Sequence, residues 1–489
     1  MLGYEIVLPL WLALPGLVLA LMGARAYIVE PLVRRALKRR ERDAKARLNT
    51  TLTRPLPKVL QVPRRVLTER LFNDPVVQAA IETAAGTDGP EAAEAEARAY
   101  IDELMPSFFA LFYFHIGYWL ARRWLRSMYD VRIVKQLPPD AYADIPENSS
   151  IVLVGNHRSN LDVAVLSYLA ARTSMISFAA GEWAAVWPMN RIMQMSGCYI
   201  IRRDSQGRLY KTVLARYIHM MIGAHMPQGI FLEGGLSRDG ALQPIKLGLM
   251  RYILAGLGKE NTQDIVFIPV AFNYDRVPED MTLLAHQEDG FKKKSRLYTI
   301  RSTGWHSLGV IARLLKIRRQ QFGQAAVSFG PAFSVRAWLA QQGETVEALD
   351  DDRRKAVVAP VAEHIIDQIA GMIPVLPVSL VSTVIREAAD TALARPELRR
   401  QVLRLTEELR SRGVPLAIDE IDDANACDIG LGVLMSRGVV SEAAGGFIVS
   451  PEKAQLLEYY ARTISHYLVD KDTGAHLRSI LTVHEPTGG

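Results

Sequence analysis

Gly155-Asn156-His157-Arg158-Ser159-Asn160-Leu161-Asp162 combines an imidazole with a carboxylate five positions on. On one ideal helix the two would not share a face. If the chain turns between them, Asp162 can fold back onto one ring nitrogen and fix the tautomer, leaving the other nitrogen as a base. Such a pair can deprotonate a hydroxyl without a serine nucleophile. Spacing alone leaves a second reading open, in which Asp162 caps a helix start and His157 is an incidental polar residue.

The flanking patterns supply the elements that would hold the pair. The apolar run Ile151–Val154 precedes it and the helical pattern Val163–Ala171 follows. In an open α/β sheet, ligands bind beyond the carboxyl ends of the strands. Further strand-like runs cover Met175–Ala179, Cys198–Ile201, Gly229–Leu232, Ile265–Ala271 and Ala325–Phe329. They are apolar on successive residues, as strands covered on both faces are. Helical patterns at Leu209–Ile222 and Leu247–Leu257 lie between them. The fold class expected is an α/β core, a mixed and largely parallel sheet with flanking helices, between N-terminal and C-terminal helical regions.

Three of those runs end in polar residues. Arg202-Arg203-Asp204 follows one, Glu233-Gly234-Gly235-Leu236-Ser237-Arg238 another, and Asn273-Tyr274-Asp275-Arg276-Val277 a third, whose strand carries Pro269. Arginine suits phosphate because its fork donates two hydrogen bonds. Paired glycines let backbone approach a ligand closely. Taken singly, an arginine pair reads as a solvated end, a Gly-Gly as a turn, and Glu233 as an ion-pair partner of a nearby arginine.

Taken in order, these blocks resemble the glycerol-phosphate acyltransferase superfamily, whose first motif is His-x4-Asp. The second family block is similar to Gly181–Arg203. The third matches Phe231, Glu233, Gly234, Gly235, Ser237 and Arg238, and the fourth Val266-Phe267-Ile268-Pro269-Val270. Tyr274-Asp275-Arg276-Val277-x-Glu279, Glu288-x-Gly290, Lys292-Lys293-Lys294, and Leu456–Arg462 with His466 resemble the larger glycerol-3-phosphate acyltransferases. One departure is Leu236, where the family often has arginine.

The resemblance implies transfer of a fatty acyl group from a thioester, acyl-CoA or acyl-carrier protein, to the sn-1 hydroxyl of glycerol 3-phosphate, forming lysophosphatidate. His157 and Asp162 would be catalytic. Arg202, Arg203, Glu233, Gly234, Gly235, Ser237, Arg238 and Pro269 would bind substrate, with Lys246 a further cation available where Leu236 supplies none. Donors near the strand ends would stabilise the oxyanion. No metal or cofactor is expected beyond the acyl-donor co-substrate. The alternatives are acylation of lysophosphatidate or another lipid alcohol, and a non-catalytic lipid-binding protein of the membrane.

The composition narrows the classes. The 489 residues are 49% hydrophobic and 22% charged, with net charge +6. That excludes global disorder. Two cysteines exclude a disulfide scaffold. Residues 1–70 hold 14 Lys/Arg and 5 Asp/Glu, and the remainder 44 and 47. The excess is a local collar at the N-terminus, not the basic face of a nucleic-acid binder. It follows the apolar run Ile6–Met22, and basic residues after rather than before the run disfavour a signal peptide. The segment reads as a membrane anchor or interfacial helix, with the following chain on the cytoplasmic face, the inner or plasma membrane of a bacterium. The alternative is a buried helix beside a solvated charge run. The aromatic stretch Met105–Leu120, followed by Arg122, Arg123 and Arg126, reads equally as an interfacial helix or a core helix.

The domain boundaries expected are 1–48 for the anchor and collar, 49–139 for a helical region, 140–335 for the acyltransferase core and 336–489 for a mainly helical C-terminal region.

Overall fold

A computed structural model describes residues 30–136, 144–171, 173–185, 189–202, 207–259, 262–285, 322–388, 391–418, 423–443 and 445–469. The run Ile6–Met22, Arg203, Glu288, Gly290 and Lys292–Lys294 lie outside them.

Helices α1 (Glu30–Thr51), α2 (Arg64–Phe72), α3 (Pro75–Asp88) and α4 (Pro90–Leu104) come first. Local sequence explains their ends. Asp74 accepts from the N–H of Val76 at 2.9 Å and caps α3, and prolines open α3 and α4 where a missing N–H costs nothing. A π-helical turn (Phe112–Gly117) then runs into α5 (Tyr118–Met128).

The sheet holds β1 (Asp130–Lys135), β2 (Ser149–Gly155), β3 (Ser177–Ala180), β4 (Tyr199–Ile200), β5 (Gln228–Phe231), β6 (Asp264–Tyr274), β7 (Gln324–Phe329) and β8 (Phe333–Ser334). Their order is β1-β7-β6-β2-β5-β3-β4, with β8 also paired to β6. The central pairs β6–β2, β2–β5 and β5–β3 are parallel, and β7 and β8 run antiparallel to β6. The mixed, largely parallel sheet expected from the sequence is therefore present. It begins at Asp130, ahead of position 140, because β1 pairs with β7 almost two hundred residues later in the chain.

The connecting helices are α6 (Leu161–Ala170), α7 (Met189–Met195), α8 (Arg208–Gly223), α9 (Gly248–Leu254) and α10 (Asp280–Ala285). After the sheet come α11 (Val335–Gln341), α12 (Asp351–Ala356), α13 (Val358–Ala370), α14 (Pro377–Glu387), α15 (Arg395–Ser411), α16 (Asp423–Ser436) and α17 (Ala454–Arg462). A small hairpin, β9 (Val440–Ala443) and β10 (Gly446–Val449), joins the last two.

Strand β2 is buried at every position, and its alternation assigns the layers. Val152 and Val154 pack with α3, α4, α8, α9 and α13 on one face. Ile151 and Leu153 pack with α6, α14, α15 and α17 on the other. Helices α2, α3 and α4, joined by α11 and α13, thus cover one face of the sheet, and α14, α15 and α17, joined by α5, cover the other.

Candidate active site

Strand register places the site. Gly155, at the end of β2, sits opposite Phe231 on β5 and Val270 on β6. Strand β6 continues to Tyr274, so the chain leaving β2 at His157 emerges between the ends of β5 and β6. A Cβ at Gly155 would lie 3.0 Å from the ring of Phe272 and 3.3 Å from that of Phe231, so any side chain there would push the two rings off the strand end. Asn156, fully buried, ties the loop to β6 by donating to the carbonyl of Phe272 at 3.0 Å and accepting from its N–H at 2.8 Å.

The His157–Asp162 pair forms as the spacing suggested. The chain turns at Ser159–Asn160, and Asp162 Oδ2 meets His157 Nδ1 at 2.9 Å. The same oxygen accepts the N–H of Arg158 at 2.8 Å and of Ser159 at 3.1 Å, so Asp162 does what a helix-start carboxylate does and also holds the ring. The imidazole lies flat on Phe231, with centroids 4.0 Å apart and planes within 9°. Nε2 has no hydrogen-bond partner among the described residues, and the side chain keeps 11% exposure. An oriented imidazole with a free, solvent-reachable nitrogen is suited to act as a general base.

Glu233 comes to the same place and makes no ion pair among the described residues. Its Oε1 accepts the N–H of His157 at 3.1 Å, and its Oε2 is buried with no partner among the described residues. Burial, partly offset by the charge of Arg158, pushes this carboxyl up to about 7. Gly234 adopts φ +62°, and the side chain of Lys246 lies across it. Ser237 donates its N–H to the carbonyl of His157 at 2.9 Å and its hydroxyl to that of Ala241 at 2.6 Å, locking the two loops together.

The arginines divide. Arg202 is held by Glu103 of α4, with Nε 2.7 Å from Oε2, and lies over the ring of Tyr100. Arg238 is exposed and makes no ion pair among the described residues. Lys246 is exposed likewise. Leu236 packs against the core on the C-terminal face, so the position where the family often has arginine is used for packing. Pro269 sits in β6 opposite Val154, and its carbonyl accepts from Gly330 at 2.8 Å.

Three contributors were not legible as site residues. Tyr274 donates its hydroxyl to Asp162 Oδ1 at 2.6 Å. Glu279 accepts from Ser159 Oγ at 2.8 Å and Asn160 N at 3.2 Å, holding the turn of the motif. Arg158, 1% exposed, donates to the carbonyls of Gly240 and Ala241 and reaches that of Thr463 at 3.5 Å, joining the catalytic loops to the C-terminal region. Tyr274 and Glu279 stand in the Tyr-Asp-Arg-Val-x-Glu run, which was the available signal. Among the described residues no group of side chains has metal-ligand geometry.

Residues 140–273 match the acyltransferase family model, and residues 307–475 match that of the glycerol-3-phosphate acyltransferase C-terminal region. The glycerol-3-phosphate acyltransferase of Aeromonas hydrophila is 28% identical over 425 residues, 82% of this chain and 50% of that one. That of Pseudomonas fluorescens is 30% identical over 284 residues, 57% of this chain and 32% of that one. The chain thus spans about half or less of the length of these curated relatives. A solved 1-acyl-sn-glycerophosphate acyltransferase from Thermotoga maritima aligns with 52% of this chain and 78% of its own at 14% identity, with a TM-score of 0.29. One family match covers the strand ends that carry His157 and Asp162 and the other the C-terminal region whose Thr463 carbonyl Arg158 reaches, and with the relatives that run across both, this chain is similar to the glycerol-3-phosphate acyltransferases through its sheet and its C-terminal helices.

Proposed function

We propose that this protein transfers a fatty acyl group from acyl-CoA or acyl-carrier protein to the sn-1 hydroxyl of glycerol 3-phosphate. The observation that carries the reading is the pairing of His157 Nδ1 with buried Asp162, which leaves Nε2 as the base. Nε2 takes the proton of the acceptor hydroxyl as its oxygen attacks the thioester carbonyl. Asp162 stabilises the imidazolium so formed. The tetrahedral intermediate collapses with loss of the thiolate, which the imidazolium can protonate. Glu233, next to His157 and with one oxygen uncommitted, is placed to bind the glycerol hydroxyls. Arg238 and Lys246 are exposed cations with no ion pair among the described residues, Lys246 lies across the Gly234 turn, and both suit the acceptor phosphate. Arg202, already paired with Glu103, can serve the phosphate only by sharing or exchanging that partner.

We propose also that the enzyme works against an anionic membrane surface, on its cytoplasmic side. Among the described residues no helix is long and apolar enough to cross a membrane. Support comes from α5 and the turn before it, where Ile116, Trp119 and Leu120 are 52%, 59% and 41% exposed. Arg122, Arg123 and Arg126 are exposed beside them and make no ion pairs among the described residues. An apolar stripe with a tryptophan and flanking free arginines suits the headgroup layer. Tyr118 of the same helix stacks on Tyr168 of α6, the helix that begins beside Asp162.

The test is an acceptor panel. Glycerol 3-phosphate, dihydroxyacetone phosphate and lysophosphatidate are each offered with acyl-CoA and with acyl-carrier protein. Turnover with glycerol 3-phosphate supports the reading. Turnover confined to lysophosphatidate overturns the acceptor, and none with any pair overturns the reaction.

A further inference from the structure

Asp162 has two oxygens, and His157 uses only one. Oδ2 takes the imidazole and two backbone N–H groups, and Oδ1 takes the hydroxyl of Tyr274 at 2.6 Å. Asp162 is fully buried, so these four donors satisfy the carboxylate where water does not reach it. Tyr274 is itself tightly held. It is the last residue of β6, it is 1% exposed, and its ring meets that of Tyr129 edge-on at 5.6 Å. Tyr129 spends its own hydroxyl on the carbonyl of Arg276 at 2.5 Å, so the neighbouring phenol does not compete for Asp162.

We propose that Tyr274 is a positioning residue of the transfer reaction, a third member behind His157 and Asp162 that fixes the carboxylate and limits how strongly it draws the imidazole proton. The inference rests on the reading of His157 as the base. A short hydrogen bond to a carboxylate oxygen withdraws part of its charge. With the phenol in place, Asp162 divides that charge between two sides. Without it, Oδ1 lies unpaired in a dry site, and the carboxylate turns more of its charge on the imidazole. The ring then holds its proton to higher pH and is a poorer acceptor at the working pH. The phenol remains a donor throughout, because burial, and after it the charge of Asp162, holds Tyr274 well above the ordinary tyrosine range. No proton passes to or from Tyr274.

Other ionisable groups face this cluster and stay in place in the test. Glu233 comes from the end of β5, and Arg158 from the loop between His157 and Asp162. Arg276, Glu279 and Asp280 follow β6, and Arg437 lies against Asp280. Tyr129 precedes β1, and Tyr459 lies on α17.

The variant is Tyr274→Phe in the full chain, which removes one oxygen and keeps the ring. The expected result is a fall in kcat of about tenfold, the scale of one hydrogen bond to a charged group. KM for both substrates should stay within about twofold, since the hydroxyl touches neither. The acid limb of the pH–rate profile should move to higher pH, and the His157 ring, followed by 15N NMR without substrate, should show the same displacement. Tyr129→Phe, which removes the neighbouring hydroxyl, should leave the His157 midpoint where it is. If Tyr274→Phe does not fold, 3-fluorotyrosine at position 274 keeps the shape and strengthens the donor, and the midpoint should move to lower pH. A folded Tyr274→Phe with an unmoved His157 midpoint, or an unmoved midpoint in the fluorinated protein, overturns the proposal. Because the NMR midpoint needs no acceptor, failure of glycerol 3-phosphate as a substrate would be seen separately.

Discussion

Glu233 and His157 are joined by the carboxylate of one and the backbone of the other: Glu233 Oε1 accepts the His157 N–H at 3.1 Å, while Oε2 is buried without a partner among the described residues. A buried carboxylate with one unsatisfied oxygen is a cost to the fold. It is the kind of cost found where a site must keep a polar group ready for a ligand.

That cost has a pH dependence. Burial raises the Glu233 carboxyl from its ordinary value of 4.5 to about 7. A raised value means that folding favours the protonated form, so the penalty develops as pH rises from about 4.5 to about 7 and is complete above it, at roughly 3 kcal/mol. Glu233→Gln should therefore raise the melting temperature at pH 8 and change it little at pH 5. The measurement is a thermal melt of both proteins at the two pH values. An equal gain at both would show that ionisation is not the cause.

Removal of the base should be severe and local. His157→Ala should lower acyl transfer by a factor on the order of 10³, within the range for general-base catalysis. Asp162→Asn should be similarly slow, since its amide cannot hold the same tautomer and also accept from Tyr274. Sedimentation with vesicles and circular dichroism should match the parent. Full turnover in His157→Ala would sink the mechanism.

The stack on Phe231 should also matter. Phe231→Ala takes away the surface on which the imidazole lies at 4.0 Å. The ring can then sample orientations unsuited to proton transfer, and kcat should fall by about tenfold. Phe231→Trp retains a flat surface and should recover more activity than Phe231→Leu. The comparison of kcat across the three is the readout.

The C-terminal region should depend on one buried ion pair. Arg437 meets Asp280 at 2.5 and 2.9 Å, and Tyr460 donates to the same carboxylate at 2.5 Å. Arg437→Met leaves Asp280 buried with its countercharge gone and should destabilise the protein by about 3 kcal/mol. Denaturant unfolding measures it. A loss below about 1 kcal/mol would place Arg437 among surface ion pairs.

Membrane partition should respond to α5. Arg122→Glu, Arg123→Glu and Arg126→Glu together, or Trp119→Ser alone, should reduce flotation with vesicles containing anionic lipid and leave binding to neutral vesicles weak in both proteins. Removal of residues 1–47 should weaken partition as well, by the charge of the basic collar. Unchanged flotation in the α5 variants would restrict membrane contact to the N-terminal segment.

The parts of the fold that were legible in the sequence were local. The runs Ile151–Val154 and Ile265–Ala271 read as strands because a strand covered on both faces shows as continuous apolar residues, and both lie within strands of the sheet. Gly89, with φ +85°, alone separates α3 from α4, and Pro90 opens the second. The helix-forming stretch Val378–Arg412 holds two helices, α14 and α15, with Pro396 near the start of the second. Strand β1 was missed because its partner β7 is remote in sequence.

The same distinction holds at the site. His157 and Asp162 are five residues apart, and a single turn brings them together, so the chain itself offered their pairing beside the reading of Asp162 as a cap, and the structure gives that carboxylate both roles. Tyr274 lies 112 positions from Asp162, Glu233 lies 76 from His157, and Glu103 lies 99 from Arg202. Residue types and order determined which groups were available and the chemistry they could perform. Only the tertiary structure decided which were spent on one another. Sheet order set β5 and β6 on either side of β2, and burial there brought Asp162, Tyr274 and the His157 N–H together with their partners while Glu233 Oε2 was left without one among the described residues. Arg158 shows the limit most plainly. By type it reads as a solvated arginine next to the histidine, yet it is buried, because carbonyls 82, 83 and 305 positions away converge on its guanidinium.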